Sequence, residues 1–150
     1  MRYYHAVRGS GRLTQALAVM VEPYPIPKLI EEWVSWAAWA HGDSNSSQEN
    51  PFGVAFFEMT WLVQHEPEKA WRVILEIVAT PGAEPYLGNL AAGPVEDLLS
   101  FYGSEFIERV ESHAKSSPVF AQLLGGVWQH TMPNEIWHRV QACNRSVHVG

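Results

Sequence analysis

Residues Leu90–Gly103 read LAAGPVEDLLSFYG, either a ligand loop or a junction between helices. Val95, Leu98, Leu99 and Tyr102 recur at the spacing that puts side chains on one face of a helix. Proline is tolerated at the first helical position, where its missing N–H has no partner to lose. The stretch therefore predicts one helix closing at Gly93, a second beginning at Pro94 and a turn at Gly103. Glu96 and Asp97 then fall in a first turn, where the helix dipole favours anions. Glu96, at the third position, can also reach back toward the cap. The competing reading is a phosphate loop. Two carboxylates would repel the phosphate, Pro94 removes an N–H from the cradle, and no Walker lysine is present.

The same punctuation recurs outward along the chain. Pro27, Pro51, Pro67, Pro85, Pro118 and Pro133 each precede a helix-spaced apolar run, with Asn50, Ser104 and Ser117 as caps. Val119, Phe120, Leu123, Leu124, Val127 and Trp128 form one continuous helical stripe. Period-two alternation and hairpin dipeptides such as Asn-Gly are missing. The polar run His41–Asn50 is a linker, and Pro81-Gly82 marks another break. Phe52–Val63 and Ala70–Ala79 are apolar almost all round, which predicts central helices covered by neighbours.

An internal repeat underlies this pattern. Pro51, Pro85 and Pro118 are spaced by 34 and 33 residues. After each comes a Glu-x-x-x-Arg-Val step: Glu68 to Val73, Glu105 to Val110 and Glu135 to Val140. Glu four residues before Arg is the favourable order for a pair on one helix surface. A period near 33 suits helical-repeat arrays. The expected fold is all-α, with about seven helices in stacked antiparallel hairpins. Either a short HEAT-like array or an irregular bundle fits. Residues 1–20 form an N-terminal extension, and residues 21–150 a single helical domain.

Several segments resemble, in order, a family of small bacterial domains of unknown function. The residues that carry the resemblance are Glu66, Pro67, Glu68, Ala70 and Trp71, then Gly93, Pro94, Glu96, Leu98 and Leu99, then Val127 and Trp128. It covers the chain from about Pro27 to Val140. It implies an all-helical bacterial protein and supplies no reaction.

Composition narrows the function. With 47% hydrophobic and 17% charged residues, 150 residues suffice for one core. Most of the seven tryptophans are expected to pack it; Trp71, Trp128 and Trp137, with Gly93 and Pro94, are assigned structural roles. A net charge of −6 gives phosphate backbones no attraction, so no nucleic-acid partner is expected. No apolar run approaches the length of a membrane span. Cys143 is the one cysteine, which suits a reducing cytoplasm and excludes an internal disulfide.

No residue set states a reaction. Glu135 and His138 form a single Glu-x-x-His step that His130 could join as a metal site. A bundle metal centre needs a second such step, and the repeat already assigns Glu135 to Arg139. No Gly-x-Ser-x-Gly elbow exists, and the seven histidines are scattered. No catalytic residue, metal or cofactor is assigned. Charge placement is more informative. Glu84, Glu96, Asp97, Glu105, Glu108 and Glu111 face Arg109 alone over 28 residues, whereas residues 1–20 hold Arg2, Arg8 and Arg12 and no acid. A solvated face that maintains solubility would look the same. The functional reading is an acidic docking face for a basic protein, with tryptophan anchors beside it. The expected function is thus a non-enzymatic, cytoplasmic interaction module, of the type of an immunity protein that neutralises a basic toxin. The alternatives are a small enzyme or ligand- or metal-binding protein with a pocket between helices, and a structural or oligomerising subunit.

Overall fold

A computed structural model describes residues 24–42 and 52–145. The N-terminal extension, the Asn50 cap, the start at Pro51 and most of the His41–Asn50 linker lie outside the described residues. The described residues are all-helical and contain no strand. Helix α1 is Ile26–Ala40, α2 is Gly53–His65 and α3 is Pro67–Val78. A 3-10 turn, Glu84–Tyr86, leads into α4, which covers residues 87–116. Helix α5 is Pro118–Leu123, followed by a 3-10 turn at Leu124–Gly126, and α6 is Asn134–Arg145. Pro67 and Pro118 open their helices as expected, and the Ser117 hydroxyl accepts from the Phe120 N–H at 3.2 Å.

The Leu90–Gly103 stretch departs from its expected reading. No helix ends at Gly93 and none starts at Pro94. Leu87–Leu90 runs in α form, Ala91–Val95 in π form and Glu96–Ser116 again in α form. Proline inside an α-helix loses a hydrogen bond, and its ring strikes the carbonyl four residues back. The wider π-turn lets the chain pass the ring: the Glu96 N–H donates to the Ala91 carbonyl, five residues back. Glu96 and Asp97 are therefore interior to a helix and have no helix terminus to cap. Ser104 is likewise helical and caps nothing.

Gly103 does not turn the chain either. The helix kinks at Tyr102, where φ is −133° and ψ 29°, and then continues. The Tyr102 hydroxyl donates to the Gln64 carbonyl of α2. Gly103 is buried where α4 crosses α6, and a Cβ there would meet the Ile136 side chain at 3.0–3.2 Å. Glycine is required for close approach, not for a turn. These fused segments leave six helices among the described residues where the punctuation predicts about seven.

One core joins all six. Leu29 and Trp33 come from α1, Met59 and Leu62 from α2, Ile74 and Ile77 from α3. Leu98, Phe106 and Val110 come from α4, Phe120 from α5 and Val140 from α6. Trp71 meets Phe106 and Phe120 with ring centroids 6.0 and 5.8 Å apart, the latter edge-on, as aromatic quadrupoles prefer. Trp71 is thus part of the core, and Trp137 packs half-buried against it.

Trp128 lies outside the core. The expected stripe from Val119 to Trp128 ends as helix at Leu123, and the ring lies 72% exposed. Beyond Gly125-Gly126 the chain is extended at Val127, so the helical spacing no longer dictates which side faces the core. Helix α2 is likewise not covered all round. Phe57 and Phe56 are exposed, and Glu58 is buried instead. The three expected Glu–Arg pairs within helices do not form. Arg109 leaves Glu105 and makes a two-pronged bond to Glu68 of α3, at 2.6 and 2.7 Å. Arg139 leaves Glu135 and takes Glu111 of α4, at 2.7 Å through two nitrogens. A planar guanidinium matches both oxygens of one carboxylate, which a neighbour one turn away on the same helix rarely presents.

Candidate functional site

The π-turn widens α4 where α1 and α2 pass it. The space between them is a cleft of about 390 Å³. Trp33 and Trp36 of α1 and Phe56 and Met59 of α2 form its apolar wall. Gly93, Pro94 and Asp97 of α4 line the other side. Trp36 lies against Phe56 with centroids 4.7 Å apart, and Phe56 meets Phe57 edge-on at 5.4 Å. Phe57 is 58% exposed, as is Phe101. Phe101 stands one turn beyond Asp97 on the same side of α4. Phe57 extends the aromatic wall outward through its contact with Phe56.

Asp97 is the carboxylate of the cleft. Burial, reinforced by the neighbouring Glu96 charge, pushes its carboxyl above the ordinary aspartate range, and His130 offsets this in part. His130 is held in the left-handed region at φ 46°. A carboxylate that is partly dehydrated, beside a like charge and away from any helix terminus, is poorly compensated. Such groups gather at functional sites. Thr60 and Asn89 add polar oxygens to the lining.

The six acidic residues assigned to a docking face are dispersed. Glu96 is buried and accepts from the Trp128 backbone N–H at 3.3 Å. Glu111 is tied to Arg139, whose guanidinium holds its carboxyl below the usual range. Glu84 is exposed beside Val119 and Gln122, on the rim of a different hollow. Glu105 and Glu108 are exposed on the later half of α4. Asp97 alone of the six lines the aromatic cleft. His130, Glu135 and His138 are all exposed and do not converge: among the described residues no three His, Cys, Asp or Glu side chains are placed to hold a metal. Cys143 is buried in α6, and burial pushes its thiol up, away from the reactive thiolate.

Sequence reasoning missed Trp36, Phe56 and Phe57 as one patch. The outward face of α2 follows the spacing Gly53, Phe56, Phe57, Thr60, Gln64, and its small and polar members were the available signal. It was missed because the segment read as apolar almost all round, so no outward face was assigned to it.

No helix among the described residues is long and apolar enough to cross a membrane. No curated protein and no solved structure was found to match the chain. A family model does match, from residue 42 to residue 147, so the match begins after α1 and its two cleft tryptophans. The chain belongs to this family, described as a family of unknown function (DUF6869).

Proposed function

We propose that the protein is a non-enzymatic, cytoplasmic interaction module that binds a basic protein, in the manner of an immunity-type protein that neutralises a toxin. The observation that carries this reading is the aromatic surface around the cleft. Phe57 and Phe101 are each 58% exposed, Phe57 touches Phe56, and Phe56 and Trp36 line the cleft. Water-exposed aromatic rings beside a well-formed pocket are the usual anchors of a protein interface. The net charge of −6 favours a basic partner and a fast, steered encounter. The docking surface is therefore the cleft and its rim, with Glu105 and Glu108 as outlying charges. The stacked-hairpin array belongs to the same reading. It is supported by ion pairs that join α3 to α4 and α4 to α6 in turn.

The test has two steps. A photo-crosslinker at Phe57 in the native host identifies the bound protein. Purified partner is then titrated against the wild type and a Phe57→Ser, Phe101→Ser variant. Both positions are exposed, so the fold is retained. The variant is expected to bind at least about 30-fold more weakly, the size of one interface hot spot. An unchanged Kd overturns the reading.

A further inference from the structure

We infer that the cleft receives a single arginine side chain of the partner, with its guanidinium across the Trp36–Phe56 pair and hydrogen-bonded to Asp97. This rests on the reading that the partner is a basic protein. Four observations select the occupant. First, the cleft, at about 390 Å³, is near the small end of ligand pockets and suits one side chain. Second, its lining holds one carboxylate and no lysine or arginine. An apolar guest would bury Asp97 without a counter-charge, which is costly. An anionic guest would meet Asp97 and the adjacent Glu96, with no Pro94 N–H to greet it.

Third, the wall is aromatic. Guanidinium is planar, weakly hydrated and stacks on tryptophan and phenylalanine rings, whereas a lysine ammonium gives up hydration at greater cost. Its five donors also need acceptors in one plane. Asp97 supplies two oxygens, and the Thr60 hydroxyl, which donates to the Phe56 carbonyl at 3.0 Å, keeps its oxygen as an acceptor. Fourth, the exposed ring of Phe57, edge-on to Phe56, extends the apolar area beyond the cleft. That area suits an arginine carried on a protein surface more than a free small molecule.

The experiment is an NMR titration of the full chain with Nα-acetyl-arginine N-methylamide. The neutral isostere Nα-acetyl-citrulline N-methylamide is run in parallel. The expected result is saturable shifts of the Trp36 indole N–H and of residues 92–97, with the arginine probe bound at least about five-fold more tightly. Asp97→Asn should abolish that preference while the rest of the spectrum shows an intact fold, and Trp36→Leu should weaken both probes. Equal affinity for the two probes, shifts confined to other surfaces, or an undiminished preference in Asp97→Asn would each overturn the inference. Micromolar binding of the free arginine probe would also overturn it, because the ligand would then be a small guanidinium compound. The two proposals fail separately. If the probes bind alike but the Phe57→Ser, Phe101→Ser variant still loses the partner, only the arginine assignment falls. If the arginine probe binds as expected but that variant keeps the partner, only the interface falls.

Discussion

At Gly103 the constraint is steric, and at Gly93 it is not. A methyl group at Gly103 must displace Ile136, and overpacking of a core costs about 1–3 kcal/mol. The gain in helix propensity from alanine returns about 1 kcal/mol at most. Gly103→Ala should therefore lose roughly 1 kcal/mol, read as a lower urea midpoint with an unchanged m-value. Gly93 has open space around the same position, so Gly93→Ala should be neutral or up to about 1 kcal/mol stabilising. The reverse order would show that Gly93 makes the helix break its sequence suggests. Asp97 carries a charge consequence. Its pKa is raised in the folded state, so the folded state holds the proton more tightly than the unfolded chain. Its contribution to stability therefore falls as pH rises through its titration. Asp97→Asn should melt higher than the wild type at neutral pH, and the difference should shrink in mildly acidic buffer. A lower melting temperature at pH 7 would mean the carboxylate is compensated after all. A stabilising loss of a cleft residue is the usual mark of a group kept for function.

Among the elements, the helix-to-helix ion pairs carry the clearest expectation. Arg109 and Arg139 hold the Glu68 and Glu111 carboxyls below their ordinary range. Depressed carboxyl pKa values add stability that is complete above the unfolded value of about 4.5 and lost as pH falls through the lowered folded values. An Arg109→Gln, Arg139→Gln variant should show a shallower loss of stability below that pH in acid denaturation. An identical acid limb would mean both pairs are too solvated to count, as exposed pairs often are. These pairs also show what was legible in the sequence. The helices themselves were, because apolar spacing and proline starts are local signals: Pro67 and Pro118 begin helices as read. The recurring Glu-x-x-x-Arg-Val steps were legible too, but their partners were not. Partner choice depends on which helix lies alongside, and Arg109 takes the Glu that opens α3 while Arg139 takes Glu111, six residues past Glu105. The break at Gly93 was misread because a proline can be absorbed by a π-turn, and the spacing of Val95, Leu98 and Leu99 is the same either way. The cleft was illegible for that reason: the π-turn residues Gly93 and Pro94 are part of its lining.

For the whole molecule, the proposed binding divides between charge and apolar surface. The excess of acid acts at a distance, so the association rate with a basic partner should fall as ionic strength rises past the range where the Debye length is about 10 Å. The Phe57 and Phe101 rings act only on contact, so their loss should appear in the dissociation rate. Stopped-flow measurements on the wild type and the Phe57→Ser, Phe101→Ser variant separate the two. A salt-independent association rate would remove the electrostatic half of the proposal. The π-turn at Ala91–Val95 has a further consequence, for chain length. It accommodates one residue more than a regular turn between the same two flanking helical segments. A homologue lacking one residue here, at Pro94, would keep Leu90 and Leu98 in the same core and line the cleft with ordinary helix. In this family, a one-residue gap at that position would be a heritable record of which members have the site.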